Sequence, residues 1–426
     1  MTQTIAPKQK IAVIGGGVAG IVSAYLLQQQ HQVTLFEQND YLGGHTNTIE
    51  ITEGPDAGLA VDTGFIVLND ATYPLFRKFL ARLGVATRVS EMSFGFQCLQ
   101  SGLVYAGNDL NGLFAQRRNL VNPSFYRFLQ EILRFGRNAK KDLAAGTVPQ
   151  VTLGEYLQQG KYQQFMIDNY LLPMAAAIWS TPTMQAAEFP AAAFLRFFSN
   201  HGLLSFRNRP QWRTVVGGSY AYVKAFQKVF TGTIHLDAAV QQVFREQGGV
   251  RLQLKNGEAQ HFDQVVIASH ADQALRLLGD PSQEEQRLLS PWNYQLNHTV
   301  LHTDASLLPP QKAAWSAWNF TRERGEADTR PVFVSYYMNL LQGLKAERDY
   351  CVTLNRQQEF RPASVIAEFN YYHPQYDFDA LATQAELPQL NGQCNSWFCG
   401  SYFGYGFHED AVRSAVEVAK GFGVSL

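Results

Sequence analysis

The sequence predicts an α/β protein: a parallel sheet assembled from separated stretches of chain, with an α+β segment inserted between them. Three observations predict it. Lys10-Ile11-Ala12-Val13-Ile14 is an unbroken apolar run ending in Gly15, Gly16 and Gly17, the pattern of a strand buried on both faces. Val265-Val266-Ile267-Ala268 is a second such run, far downstream. Between them the apolar residues recur at helical spacing. At 426 residues the chain also exceeds what one core usually supports, so two interleaved domains are expected.

The elements follow in order. After the first strand, Ile21 to Gln30 reads as a helix and Val33 to Glu37 as a second strand, a βαβ opening of the usual size. Ile49–Glu53 and Leu59–Val61 flank Gly54-Pro55-Asp56-Ala57-Gly58 as a hairpin. Tyr73, Phe76, Phe79, Leu80 and Leu83 form one helical stripe; Phe125, Phe128, Leu129, Ile132 and Leu133 form another. Met92 to Tyr105 alternates weakly between them. A helix is expected over Tyr220 to Phe230 and strands near Ala238–Phe244 and Val250–Leu254. A turn follows at Asn256-Gly257, then a strand within Phe262–Ser269. Asn297–His302 and Val332–Tyr337 suggest a second sheet, and Trp397 to Gly423 reads as strand, glycine-rich turn and a helix over Ala411 to Lys420. The expected division is 1–70, 213–290 and 391–426 for the parallel-sheet domain, with 71–212 and 291–390 for the inserted one.

Composition narrows the function. Hydrophobic residues make up 46% and charged residues 17%, which fits a globular chain with a large core. The formal net charge of −1 gives no broad footprint for nucleic acid. Cys98, Cys351, Cys394 and Cys399 lack metal-ligand spacing, so neither a zinc site nor a disulfide framework is expected, and no metal. Met1 to Lys10 is polar, and no apolar run reaches the ~18 residues of a membrane span. A cytoplasmic protein is expected, at most peripheral to a membrane.

Gly15-Gly16-Gly17-Val18-Ala19-Gly20 fits GxGxxG, follows a buried strand and opens a helix, with Glu37 at the end of the next strand. That is a Rossmann-like dinucleotide-binding turn. Gly15 permits the tight turn, Gly17 lets backbone approach a pyrophosphate, and Gly20 lets helix and strand pack closely. Val18 and Ala19 lead into a helix N-terminus, whose free N–H groups and partial positive charge suit phosphate. Glu37, followed by Gln38, would accept hydrogen bonds from the adenosine ribose and disfavour a 2′-phosphate.

Two further segments separate a flavin from a nicotinamide dinucleotide. Tyr41-Leu42-Gly43-Gly44-His45-Thr46-Asn47-Thr48 and Asp62-Thr63-Gly64-Phe65 together resemble the amine oxidase–phytoene desaturase superfamily of flavoproteins. The resemblance implies an FAD-binding domain with an inserted substrate domain, and FAD held non-covalently. In it, the loop with Gly43, Gly44, His45 and Thr46 runs along the diphosphate and ribityl chain, and Thr63, Gly64 and Phe65 approach the isoalloxazine. Many superfamily members carry Arg at the position of His45. Gly400 and Ser401 would reach the ribityl chain, although an acidic residue is usual where Ser401 stands. Phe407 and His408 would begin the helix that points at the flavin N1–C2=O edge, and Val240 would lie under the adenine.

The motifs Asn200-His201-Gly202-Leu203-Leu204, Trp212-Arg213-Thr214-Val215, Leu301-His302-Thr303-Asp304 and Gly404-Tyr405-Gly406-Phe407-His408-Glu409-Asp410 narrow the resemblance. They are similar to a bacterial-type group of predicted NAD/FAD-binding oxidoreductases that commonly accompany cyclopropane-fatty-acid-synthase-like methyltransferases. This implies two-electron oxidation, a dehydrogenation or desaturation, of an apolar, fatty-acyl substrate, with a lipid methyltransferase as partner. An amine oxidase, a flavin-dependent isomerase or saturase, and a non-catalytic flavin-bearing partner of such a methyltransferase are the other readings.

A flavin needs little acid–base help to take a hydride, so no obligatory triad is expected. His201 and His302 are the candidates for proton transfer near neutral pH. Tyr402, Phe403 and Tyr405 could wall the flavin or simply pack, and Trp179 reads as core. Cys399, near the expected ribityl loop, reads as a packed thiol rather than a flavin attachment point. Arg117, Arg118, Arg134, Arg137, Lys140 and Lys141 lie near apolar helical faces, either as a solvated surface or as a membrane-surface helix.

Overall fold

The computed structural model describes residues 8–205, 209–323, 333–356 and 358–426. Of the expected segments, 1–7 and Val332 lie outside the described residues.

A five-stranded parallel sheet runs in the order Thr233–His235, Gln32–Phe36, Lys10–Ile14, Gln264–Ile267, Ser396–Phe398. Its strands come from three distant parts of the chain. Alternation along Lys10–Ile14 explains how both faces are covered. Ile11 and Val13 join the cluster of Val22, Leu26, Val412 and Ala415, from the Val18–Leu27 and His408–Gly421 helices. Ala12 and Ile14 face the other way, toward Val243, Val250 and Leu252 of a three-stranded antiparallel sheet. The six Val and Leu partners are all buried, and each contributes roughly 1.5–3 kcal/mol of apolar burial.

The register places the chemistry. Ile14 pairs with Phe36 and with Ile267, and Ile267 pairs with Phe398. The Gly15 turn, Glu37, Ser269-His270 and Gly400-Ser401 therefore leave the sheet at one carboxyl edge, where open α/β sheets bind ligands.

A seven-stranded sheet runs in the order Val365–Pro374, Tyr294–His302, Cys351–Leu354, Phe333–Tyr337, Trp318–Arg322, Phe94–Cys98, Val104–Ala106. Its pairs are antiparallel except Trp318–Arg322 with Phe94–Cys98. The weakly alternating Met92–Tyr105 stretch thus supplies two of its strands. Beside it stands the 23-residue helix Pro123–Ala145. Asn122 caps this helix by accepting from Ser124 N, Pro123 sits at its first turn, and Gly146 ends it at φ +66°.

Two helices start earlier than the apolar pattern suggests. The first begins at Val18, not Ile21, because Gly17 is already its extended N-cap (φ −72°, ψ 179°). The last begins at His408, not Ala411, because the Asp410 carboxylate accepts from Tyr405 N and Phe407 N and closes the turn before it. Among the described residues no helix is long and apolar enough to cross a membrane.

Candidate active site

A cavity of about 1230 Å³ opens along the carboxyl edge of the parallel sheet and continues toward the seven-stranded sheet. Pockets for single drug-sized ligands span roughly 300–1,000 Å³, so this space has room for a substrate beside a cofactor.

At the sheet end, the glycine positions are dictated by contact. Gly15 has φ +104°, and a Cβ there would stand 2.6 Å from Ala268 O. A Cβ on Gly20 would lie 1.9 Å from Gly15 O, so helix and turn meet only through glycine. Gly17 is different: a Cβ there meets nothing within 4 Å and would project into the cavity. No side chain caps the helix it begins. A glycine with room for a side chain, before uncapped amides, fits a cradle for a phosphate group. Gly44 stacks against it, its ideal Cβ 3.3 Å from Gly17 Cα, while Gly43 N donates to Gly16 O at 2.8 Å. Glu37 Oε2 accepts from Gly16 N at 2.7 Å and Oε1 from Asn39 N at 2.9 Å, which fixes the carboxylate with lone pairs left for a ribose.

Most of the expected cofactor residues line this one cavity: Gly15, Gly17, Val18, Ala19, Glu37, Gln38, Gly43, Gly44, His45, Thr63, Gly64, Phe65, Val240, Gly400, Ser401, Phe407 and His408. Gly20 does not, being packed beneath the turn. Nor does Thr46, which is buried behind His408: its hydroxyl bonds Tyr222 OH at 2.6 Å and His408 Nε2 at 3.0 Å. Thr46 therefore orients the His408 ring rather than meeting a ligand. That ring stacks on Phe65 at 3.6 Å between centroids.

Of the candidates for proton transfer, His201 lines the cavity and His302 does not. The His302 side chain is fully buried, with Nε2 2.7 Å from Thr353 Oγ1 and Nδ1 accepting from Asp304 N. Thr299 on the same strand does line the cavity, and an odd step along a strand reverses the face. His302 is a structural residue. His201 Nδ1 bonds Phe197 O at 2.9 Å and its ring stacks on Phe197 at 3.9 Å. Burial pulls its pKa down to about 4, so it is neutral at physiological pH.

Tyr402 and Tyr405 line the cavity, whereas Phe403 packs beside Tyr402. The Tyr402 hydroxyl is buried without a hydrogen-bond partner. Trp179 is buried and also walls the cavity, its ring tilted against that of Phe189 at 4.5 Å between centroids. Cys399 lies outside the lining, 3.5 Å from Ser23 Oγ, with its thiol pushed up to about 12 by burial.

A histidine cluster that the sequence motifs do not mark stands on the cavity wall. The His45 ring lies 5.9 Å from that of His270 and 5.4 Å from that of His373, and His270 stacks on Tyr294 at 4.3 Å. Burial lowers all three, His270 and His373 to about 3. His270 was open to detection, because it follows a buried parallel strand directly, the place where such sheets bind ligands. Among the described residues no cluster of His, Cys, Asp and Glu could hold a metal ion.

Comparison with known proteins agrees with this geometry. The model of the family described as flavin containing amine oxidoreductase matches residues 18–341. A Mycobacterium tuberculosis protein named as a flavin-containing monoamine oxidase, AofH, is 26% identical over 340 residues, covering 76% of this chain and 70% of its own. An L-amino-acid oxidase of Siganus canaliculatus is 24% identical over 293 residues, covering 64% of this chain; the match spans about half of that enzyme, 52%. The CLA-producing fatty acid isomerase from P. acnes superposes with a TM-score of 0.71 at 15% identity, over 98% of this chain and 100% of that one, a likeness of fold. The chain belongs to the flavin containing amine oxidoreductase family, and it is an FAD-dependent oxidoreductase.

Proposed function

We propose that the protein oxidises an apolar, fatty-acyl substrate by two electrons, removing two hydrogens from adjacent carbons. The observation that carries this reading is the wall of the cavity away from the parallel sheet. Met174, Ile178, Trp179, Phe197, Trp318 and Tyr336 are among its side chains. Among the described lining residues the carboxylates are Glu37 and Glu91. Glu37 is engaged at the glycine turn, and Glu91 is exposed. A cationic amine held against this apolar wall meets no carboxylate among the side chains named for it, whereas each acyl methylene gains about 0.8 kcal/mol from apolar contact.

In this reading Gly17, Val18, Ala19, Gly43 and Gly44 seat the diphosphate of FAD. Glu37 holds the adenosine ribose and Val240 backs the adenine. Ser401, Phe407 and His408 meet the flavin half. FAD bound there supplies the two-electron acceptor. The protein's own contribution is to orient and to exclude water: Tyr402, Tyr405 and Phe407 close one side, and neutral His201 is available to take a proton rather than give one.

The second reading, oxidation of an amine, is favoured by the names of the monoamine and L-amino-acid oxidase relatives. It draws further on the aromatic stack of Phe197 with His201 and Phe407, at 3.9 and 5.0 Å, which could embrace a cation. A flavin-dependent isomerisation is third, from the name of the P. acnes structure. Adding acyl phospholipids or free fatty acids to the yellow protein without oxygen tests the first reading. Bleaching of the flavin band supports it. Bleaching by simple amines alone, with hydrogen peroxide in air, sinks it in favour of the second. A lipid methyltransferase remains the proposed partner, to be sought by co-purification of the two proteins.

A further inference from the structure

The stretch from Asn108 to Ala145 carries seven cations against three carboxylates, in a chain whose formal net charge is −1. Those carboxylates are engaged locally. Asp109 accepts from Gly112 N at the start of a short helical turn, Glu131 pairs with Arg134, and Asp142 accepts from Tyr156 OH. Arg117, Arg118, Arg127, Arg137, Lys140 and Lys141 are exposed, and among the described residues none of the six makes an ion pair.

Apolar side chains stand in the same surface. Leu110 is 75% exposed, Val121 84%, Leu133 49%, Leu120 48% and Tyr126 43%. They are contiguous with the cations. Tyr126 OH donates to Leu120 O at 2.9 Å, the Tyr126 ring lies 6.1 Å from that of Phe114, and an Arg117 guanidinium N–H donates to Phe114 O at 3.1 Å. The surface also adjoins the chamber. Tyr105 and Gly107 line the cavity, Leu110 follows three residues later, and the Phe128 ring packs on Tyr105 at 5.4 Å.

We infer that this face docks onto an anionic phospholipid surface. Exposed single aliphatics are ordinary on a soluble protein. Leucine and valine beside a tyrosine and six unpaired cations are instead the side chains of an interfacial anchor. The aliphatics enter the headgroup boundary, the tyrosine sits at its edge, and the cations meet lipid phosphate. A nucleic acid would use the cations but gains nothing from Leu110 or Val121. The inference does not depend on the substrate proposed above.

Sedimentation of the FAD-loaded protein with vesicles tests it. At low salt the protein pellets with phosphatidylcholine–phosphatidylglycerol vesicles and stays in the supernatant with phosphatidylcholine alone. Removing two cations, Arg117→Gln with Arg118→Gln, lowers partitioning about 25-fold, from about fivefold per charge. Leu120→Ser with Val121→Ser also weakens it, while flavin absorbance and melting temperature stay those of the wild type. Should one pair fail to fold, the other pair decides, together with the release of wild-type protein by salt. Wild-type protein that ignores anionic vesicles at low salt, or binds both vesicle types equally, overturns the inference. So does vesicle binding that neither pair weakens. Variants that change the oligomeric state of a protein indifferent to vesicles would mark the face as a protein interface instead.

Discussion

Gly17→Val separates folding from cofactor binding. The backbone at Gly17 is extended, at φ −72° and ψ 179°, a conformation open to any residue, and its ideal Cβ has no protein atom within 4 Å. Replacing an N-cap glycine by an apolar residue costs the helix about 1 kcal/mol or less. The fold should survive, with a urea midpoint close to that of wild-type protein stripped of FAD. The two added methyl groups instead occupy the cavity in front of the free amides of Val18 and Ala19. Crowding of that size costs about 1–3 kcal/mol at a packed contact, which is roughly a 5- to 150-fold weaker hold on FAD. The loss grows further if the diphosphate is pushed off the amides. The assay is the ratio of flavin to protein absorbance after gel filtration, with a urea melt as the folding control. A colourless protein that melts like the stripped wild type is the expected result. Full flavin content would refute the phosphate-cradle reasoning, and an unfolded variant would refute the assignment of free space at Gly17. Gly20→Ala supplies the contrast, because its Cβ would collide with Gly15 O at 1.9 Å; that variant should fail to fold.

Glu37→Gln keeps an acceptor for either Gly16 N or Asn39 N but not both, so FAD affinity should fall about 10- to 150-fold, read by quenching of FAD fluorescence. Acid precipitation of the wild type should release all its flavin into the supernatant, since Cys399 lies outside the cavity lining; yellow precipitate would indicate a covalent bond. Asp62 accepts from Thr48 Oγ1, Ser219 N, Ser219 Oγ and Gln342 Nε2, yet burial pushes its pKa up to about 7. A carboxyl with a raised folded pKa holds its proton longer in the folded state. Its contribution is therefore fully present below the unfolded value near 4, and as pH rises from about 4 to 7 up to about 4 kcal/mol of stability is lost. Urea melts across that range should show the decline, and Asp62→Asn should flatten it. Extending an acyl substrate by one methylene should lower KM about fourfold until the chamber is full, and a KM indifferent to chain length would argue against the apolar wall as the binding surface.

The parts of this site legible in the sequence are those whose chemistry is local. The strand Lys10–Ile14, the glycine turn and Glu37 lie within one βαβ unit, and their spacing follows from the turn, helix and strand they form. Gly43-Gly44 and Thr63-Gly64-Phe65 became meaningful only by resemblance, since a glycine pair by itself reads as any turn. The chamber was largely hidden. Trp318 and Tyr336 sit beside it because Phe94–Cys98 pairs with Trp318–Arg322, a long-range contact without a local signature. An apolar helical setting looks the same for a tryptophan in a core and one on a cavity wall, and Trp179 is both. His302 failed as a candidate for a simpler reason. Its strand alternates faces, and which face meets the cavity is fixed by sheet pairing with Val365–Pro374 and Cys351–Leu354, not by the residue itself.

If the apolar chamber presents an acyl chain to FAD for removal of two hydrogens, as proposed, the product of a single anaerobic turnover will carry the change. The flavin-loaded protein is mixed with a saturated or monounsaturated acyl lipid, and the lipid is then recovered for mass spectrometry. The expected product is an acyl chain lighter by two hydrogens, in an amount matching the flavin reduced. A lipid of unchanged mass beside a fully oxidised flavin, from protein that simple amines reduce, would contradict it.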